Sequence, residues 1–291
     1  MNRITHFLSL TGLGVVFSLS ACKKKKEDDH SHGPTPSSPS TRWVELGHGH
    51  SADDEYHVDL YAELPTGRDS LWEGYNRFRV RIRRGQTGSV YAGTDVRLWP
   101  MMYMMGHSHS CPVEQISGGP NAEGFYEGAA FFQMPTTVVN GQVTEPWKMH
   151  VLIGNQDTAT IEIRVNPHPN GWVRRKRFQP ADVRLLYEMR PARLATGSQD
   201  VTFYVYQRNT SLPHEDPNGF PATTDLRVHL KTWMPSMGHG AEGTQDALPV
   251  SGKPGHYAGK LGFNMTGDWE VYAAFIRGND TLGRDTFRLN F

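Results

Sequence analysis

The feature of this sequence that most constrains its fold is an internal repeat, in which the second part copies the first at an offset of about 130 residues. The pattern Met-x-x-Met-Gly-His spans Met102 to His107 and recurs at Met234 to His239. Further along, Met134 matches Met265. A repeat this long indicates tandem domains rather than a solenoid of short units.

Short strands are predicted within each copy. β-branched and aromatic residues alternate at Arg77 to Ile82, Thr160 to Val165, Val201 to Tyr206 and Thr286 to Phe291. Turn residues such as Asn140-Gly141 separate these segments, and no long amphipathic helical period occurs. About seven short strands in each copy predict an all-β fold of two tandem immunoglobulin-like β-sandwich domains.

Four segments are predicted along the chain. Residues 1–21 form a lipoprotein signal peptide, 22–41 a flexible tether rich in His, Lys, Pro and Ser, 42–168 the first β-sandwich and 169–291 the second. The boundary between the sandwiches lies near Asn166 to Gly171, because two prolines there interrupt strand pairing.

The signal peptide is predicted from Arg3, the apolar run Phe7 to Leu19 and the small residues before Cys22. Leu19-Ser-Ala-Cys22 resembles a bacterial lipobox, in which the peptide is cut before the cysteine and its thiol is acylated. We therefore expect a lipid anchor on Cys22 that holds the protein to a membrane of the cell envelope, on the periplasmic face or the cell surface. The alternative is an ordinary secretory signal with an incidental cysteine.

The tether begins with the basic run Lys23 to Lys26, followed by three acidic residues. This run resembles the surface-export signal of Bacteroidota lipoproteins, but a solvated charge run is the preferred interpretation. His30 and His32 in the tether, and His48 and His50 at the domain edge, form pairs that can bind metal loosely.

Composition excludes two classes of protein. Thirty basic residues balance thirty acidic ones, so a nucleic-acid partner has no electrostatic support. The chain has two cysteines, and lipidation of Cys22 leaves Cys111 without an intramolecular partner. A disulfide framework is therefore excluded.

The repeated methionines and histidines predict a soft-metal site in each copy. Thioether and imidazole ligands suit copper(I), and silver fits as well. Loops at one end of each sandwich are expected to gather these ligands. The predicted ligands are Met102, Met105, His107 and Met134 in the first copy, and Met234, Met237, His239 and Met265 in the second.

Other interpretations of these residues stay open. The methionines could be core residues, which is what we expect for Met101 and Met104 because they have no methionine counterpart. His109 and Cys111 are possible additional metal ligands in the first copy. A blue-copper site is disfavoured because both histidines precede Cys111, and a catalytic Cys-His pair lacks a recognisable third residue.

Both copies resemble the YtkA-like domain, a small immunoglobulin-like module related to the periplasmic part of FixH proteins. In the first copy the resemblance rests on Gly74-Tyr-Asn76, Pro100 to Met104, His107 to Pro112, and Gly124 through Pro135. In the second copy it rests on Trp233 to His239 and on Gly255 through Trp269. The first copy departs from the family pattern at Cys111, where a small residue is expected before Pro112.

The resemblance implies a non-enzymatic module of the cell envelope, associated with copper handling or with cytochrome oxidase assembly. It assigns the family's methionines and histidine to Met102, Met105 and His107, and to Met234, Met237 and His239. The predicted function is copper(I) buffering, or delivery to an envelope partner. The alternative is a structural or adhesive module that docks a protein through the same loops.

An enzyme is the least supported class. The sequence has no paired carboxylates at matching repeat positions, no glycine-rich phosphate loop after a strand and no Ser-His-Asp context. A copper oxygenase that uses a free N-terminal histidine is excluded if the mature chain begins with acylated Cys22.

Overall fold

The first half is built from β-strands. The computed structural model describes residues 40–85, 87–155 and 157–291, so the predicted signal peptide, Cys22, His30 and His32 lie outside the described residues. The strands are β1 (Thr41–His50), β2 (Tyr56–Pro65), β3 (Leu71–Trp72), β4 (Gly74–Arg84), β5 (Val96–Met104), β6 (His107–Ser110), β7 (Val113–Glu114), β8 (Tyr126–Phe132), β9 (Thr137–Val139), β10 (Gln142–Glu145), β11 (Trp147–Ile153), β12 (Asp157–Ile163) and β13 (Val165–Asn166).

Two sheets pack face to face in this half. One has the strand order β1-β2-β4-β8-β7 and the other β12-β11-β5-β6. Their facing side chains, among them Phe78 and Trp147, form a buried core. Thr160 to Val165 is not the single strand predicted: β12 ends at Ile163, and Val165 pairs in parallel with Leu71 of β3 instead.

The second half is a single curved sheet with its own core. Its strands are β14 (Val173–Phe178), β15 (Val183–Pro191), β16 (Gly197–Gln207), β17 (Leu226–Trp233), β18 (Gln245–Pro249), β19 (His256–Phe263), β20 (Asp268–Arg277) and β21 (Asp280–Asn290), with a 3₁₀ helix at Pro217–Gly219. The strand order is β14-β15-β16-β19-β18-β17-β20-β21. Side chains on one face of the strands, such as Tyr187, Trp269 and Phe287, are buried in this core. The predicted all-β, immunoglobulin-like sandwich fold is confirmed.

The two halves are joined by a third apolar cluster, which includes Tyr75, Phe131, Leu186 and Phe220. Residues 40–291 belong to one compact unit, so their division into two domains stays a prediction. None of the helices in the described residues is long and apolar enough to cross a membrane.

A buried carboxylate fixes this junction. Glu188 is completely buried, and its Oε2 accepts the backbone N–H of Tyr75 at 2.8 Å. Arg190 donates to both carboxylate oxygens, at 2.7 and 3.0 Å, and to the carbonyl of Tyr75 at 2.7 Å. The chain reaches this carboxylate through Gly74, whose φ is +98° and whose missing Cβ would lie 2.3 Å from Glu188 Oε2.

This contact predicts that Gly74→Ala destabilises the protein more than Gly67→Ala. Both glycines have positive φ, +98° and +87°, but a Cβ at Gly67 would have no atom within 4 Å. Both substitutions introduce similar backbone strain, so the difference between the two variants measures the collision of the new Cβ with the Glu188 carboxylate. We expect Gly74→Ala to lower the free energy of unfolding by about 1 to 3 kcal/mol more than Gly67→Ala does. Urea titrations of both variants measure it, and equal losses would contradict this account of the junction.

Candidate metal centre

The repeated Met-Gly-His lies in two hairpins of different length. In the first half, Met102 pairs with His109 and Met104 with His107 across a two-residue turn. In the second half, Met234 pairs directly with His239. The structural partner of His239 is therefore His109, and the predicted match of His239 with His107 is wrong. The first hairpin is longer than the second. The shared Met-Gly-His sequence therefore occupies a different position in each hairpin, which the sequence alone does not show.

A tryptophan closes the same arrangement in each half. The indole Nε1 of Trp147 donates to the carbonyl of Met134 at 3.1 Å, and that of Trp269 donates to the carbonyl of Met265 at 3.0 Å. His109 meets Trp147 edge-on, with ring centroids 5.1 Å apart. His239 meets Trp269 in the same way at 6.1 Å. The later-strand methionine and the hairpin histidine are thus held near one another in both halves.

The structure separates the methionines of each motif. Met102 and Met234 are 0% and 4% exposed and belong to the cores, whereas Met105 and Met237 are 93% and 60% exposed at the turns. Met102 lies on β5 and Met234 directly follows β17, so both side chains continue the buried alternation of their strands. Met102 and Met234 are therefore not brought together with Met105 and Met237.

In the first half, four soft donors line a cleft of about 520 Å³ between the two halves. They are Met104, His107, His109 and Met134. Met104 and Met134 also pack against the core. The sequence analysis predicted that Met104 is only a core residue and that His109 is only an additional ligand. It also predicted that Met101 is a core residue, and this is confirmed because the Met101 side chain is buried.

The opposite wall of this cleft is strongly basic. Its Arg and Lys side chains come from β14, β15 and the loop after β16, and Glu215 is the single carboxylate in the lining. They are Arg175, Lys176, Arg177, Arg184 and Arg208. Such a field disfavours a bare metal cation. The consecutive basic residues Arg174 to Arg177 could have indicated a basic surface from the sequence alone. Their position facing the first half could not be predicted, because it depends on how the two halves pack at the junction.

His109 and Cys111 have different environments. Burial lowers the pKa of the His109 imidazole, and the charges of Arg175 and His214 act in the same direction, so the ring is neutral at neutral pH. Cys111 is completely buried in the core, and burial raises the pKa of its thiol well above the ordinary value. It does not line the cleft, so the structure does not place it with the other soft donors.

In the second half, the corresponding donors lie at the protein surface. Met237 is 60% and Met265 37% exposed, and His239 is half-buried. The Nδ1–H of His239 donates to the carbonyl of Gly240 at 3.0 Å. A carbonyl only accepts, so the tautomer is fixed and the lone pair of Nε2 is available for a metal. Histidine residues that bind metals commonly donate their other ring N–H to a backbone carbonyl in this way.

The same turn carries a negative charge. Ser236 donates its backbone N–H to Asp268 at 3.3 Å and its hydroxyl to the same carboxylate. The hydroxyl hydrogen bond lowers the pKa of Asp268, which is therefore ionised at neutral pH. The second-half donor set of two thioethers and one imidazole thus fits a soft monovalent cation better than the cleft does.

Across residues 40–291, apart from the two undescribed positions, no three His, Cys, Asp or Glu side chains are placed to hold a metal ion. The predicted soft-metal sites combine histidine with thioether ligands instead.

Comparison with known proteins supports the family resemblance for the second half. Residues 196–274 match the model of the YtkA-like family, and this range contains Met237, His239 and Met265. No curated protein matches the chain.

A solved structure of FdeC, an Escherichia coli adhesin, is 11% identical over 82% of this chain with a TM-score of 0.24. The match spans 65% of the adhesin chain. A likeness of this size carries no argument about function.

The different burial of Met102 and Met105 predicts that two similar substitutions change the free energy of unfolding by very different amounts. Met102→Ala empties a fully buried position and should lower the free energy of unfolding by about 2 to 5 kcal/mol. Met105→Ala removes an exposed side chain and should change it by less than about 0.5 kcal/mol. Chemical denaturation of both variants measures the difference, and a strong effect of Met105→Ala would show that its side chain is packed in solution.

Proposed function

We propose that this protein is a lipid-anchored component of the bacterial cell envelope that binds copper(I) chiefly at a site in its second half. The ligands are Met237, His239 and Met265. The protein acts by binding and release rather than by catalysis, either buffering copper or delivering it to an envelope partner. Silver(I), which has similar ligand preferences, is an expected competitor.

The observation that carries the proposal is the fixed tautomer of His239. Its Nδ1 is engaged by the Gly240 carbonyl at 3.0 Å, which leaves Nε2 as the metal-binding atom beside two accessible thioethers. Copper(I) is soft and accepts a small number of sulfur and nitrogen ligands, whereas calcium and magnesium require oxygen ligands.

Two further features favour a monovalent cation at this place. The Asp268 carboxylate is held at the same turn by Ser236, and it supplies a compensating negative charge. The Trp269 indole beside His239 provides an apolar wall and a π-face, which attracts cations. The YtkA-like match spans all of these residues.

The first-half donors are expected to bind more weakly. Met104, His107, His109 and Met134 share their cleft with the basic side chains of β14 and β15, and like charges disfavour cation binding there. The exposed turn carrying Met105 lies outside that cleft, near Glu145, whose Oε1 is 3.4 Å from the Met105 amide nitrogen. A second, weaker equivalent could bind through Met105 and His107.

Exposure of the ligands suits transfer. A partner can approach Met237 from solvent and exchange ligands one at a time, without opening the fold. A lipid on Cys22 would keep the protein near membrane-bound partners, such as copper-handling or oxidase-assembly proteins.

A structural or adhesive role is the second candidate, and the observation that favours it is the 93% exposure of Met105. An apolar side chain at a turn can dock against a protein partner without any metal. The two functions differ in whether partner binding requires copper.

The copper proposal predicts the outcome of a titration of the chain carrying Cys22→Ser, in competition with a chromogenic copper(I) chelator. We expect about two equivalents, one tighter than the other. Met237→Ala with His239→Ala should remove the tighter equivalent, because it takes away the imidazole and one thioether. Silver should displace copper from the same site.

The matched control is Met105→Ala with His107→Ala, which removes a Met-His pair of identical spacing from the first half and should retain the tighter equivalent. Absence of any binding tighter than micromolar would refute the proposal. Loss of the tighter equivalent in the control instead would move the principal site to the first half.

A further inference from the structure

The basic wall of the cleft belongs to one face of the β14–β15 hairpin. Alternation along β14 places Arg175 and Arg177 on the same face, and Arg177 pairs directly with Arg184 of β15. Like charges directly opposite one another destabilise a sheet. The fold does not need this pair of like charges for its stability. A negatively charged ligand that binds there would explain why the pair is present.

The other face of the same strand is neutralised by the protein itself. Arg174 and Lys176 both contact the buried carboxylate of Asp285. On the cleft face, only Arg177 has an acidic partner, Asp182. Among the described residues no carboxylate lies within 4.0 Å of the guanidinium nitrogens of Arg175 or Arg184.

The cleft in front of these arginines has an apolar side as well. Leu186 and Phe220, each 5% exposed, line it beside Met104 and Met134. Glu215 also faces the cleft, but it is engaged by the hydroxyl of Ser108 at 3.1 Å. Lys176 and Arg177 are paired with Asp285 and Asp182. The other three basic residues in the lining are Arg175, Arg184 and Arg208, and they outnumber its single carboxylate, Glu215.

A buried group at the cleft lacks a partner. His109 is 7% exposed, and its Nε2 is buried without a hydrogen bond. Nδ1 of the same ring lies 3.2 Å from both the carbonyl oxygen of Ser110 and the amide nitrogen of Gln133. The Nε of Arg208 is also buried and unpartnered, while its other nitrogens donate to backbone carbonyls.

We propose that this cleft binds a small organic anion, in which a phosphate or carboxylate group contacts Arg175 and Arg184 and an apolar part lies against Leu186 and Phe220. The proposal goes beyond copper binding, because the principal copper site is proposed in the second half and this cleft requires no metal. It also gives a reason why the first half differs from its copy.

The test uses isothermal titration of the whole chain carrying Cys22→Ser, with a chelator present to exclude metal. The probe is phenyl phosphate, and inorganic phosphate is the matched probe without an apolar part. We expect one equivalent of phenyl phosphate to bind at least about tenfold more tightly than phosphate, with an affinity that falls as salt rises. No binding at millimolar concentration would overturn the proposal.

Arg175→Gln with Arg184→Gln should weaken phenyl phosphate binding by about tenfold or more, because two charge-assisted hydrogen bonds are lost. Both side chains belong to exposed residues, and removal of like-charge repulsion should leave the fold at least as stable. The control Arg227→Gln with Arg288→Gln removes two positive charges elsewhere on the second half and should have less than a twofold effect. Equal weakening in both variants would overturn the assignment to this cleft.

A second arm identifies the source of the anion, with vesicles of neutral lipid and vesicles containing phosphatidylglycerol. Selective binding to the anionic vesicles that is lost in Arg175→Gln with Arg184→Gln assigns the site to a lipid headgroup. Phenyl phosphate binding without vesicle binding assigns it to a soluble anion. Because no copper is present, failure here leaves the copper titration unaffected, and failure of copper binding leaves this result unaffected.

Discussion

The buried carboxylate of Glu188 is the constraint on which the arrangement of the two halves depends. A carboxylate buried in an apolar junction is tolerated only when its oxygen atoms are paired, and here Arg190 and the backbone of Tyr75 pair with them. These partners come from both halves, so the angle between the sheets is fixed by hydrogen-bond geometry as well as by apolar packing. The cleft is the space that remains between the two halves at this angle. Backbone contacts such as Ser110 N–H to the His214 carbonyl, at 2.8 Å, define its edge.

The two copies of the repeat keep one arrangement and use it in different surroundings. In each, a tryptophan indole holds the carbonyl of a methionine and a hairpin histidine stands against the indole ring. In the second copy this group faces solvent beside an aspartate. In the first it is covered by β14 and β15, and the histidine becomes buried. Tertiary contact between the copies, more than substitution within them, therefore separates their chemistry.

Sequence patterns were sufficient for most of the predicted strands and insufficient for the site. The Asn140-Gly141 turn was predictable because both residues adopt positive φ, at 51° and 79°, which that dipeptide accommodates. The alternation at Val201 to Tyr206 likewise placed β16. The hairpin register was missed because His107 and His109 both follow the methionines, and only pairing distinguishes them. The cleft was missed because Arg175 and Arg184 become neighbours of His109 only after the halves pack together.

The burial of Cys111 bears on how the protein withstands its surroundings. Oxidation and disulfide exchange proceed through the thiolate, and they require access to the sulfur. A completely buried thiol with a raised pKa offers neither. If the chain is exported and handles copper as proposed, it can therefore carry this cysteine as an inert apolar side chain. The methionine sulfurs at Met105 and Met237 have no such protection, so oxidative damage would reach the exposed turns before it reached the core.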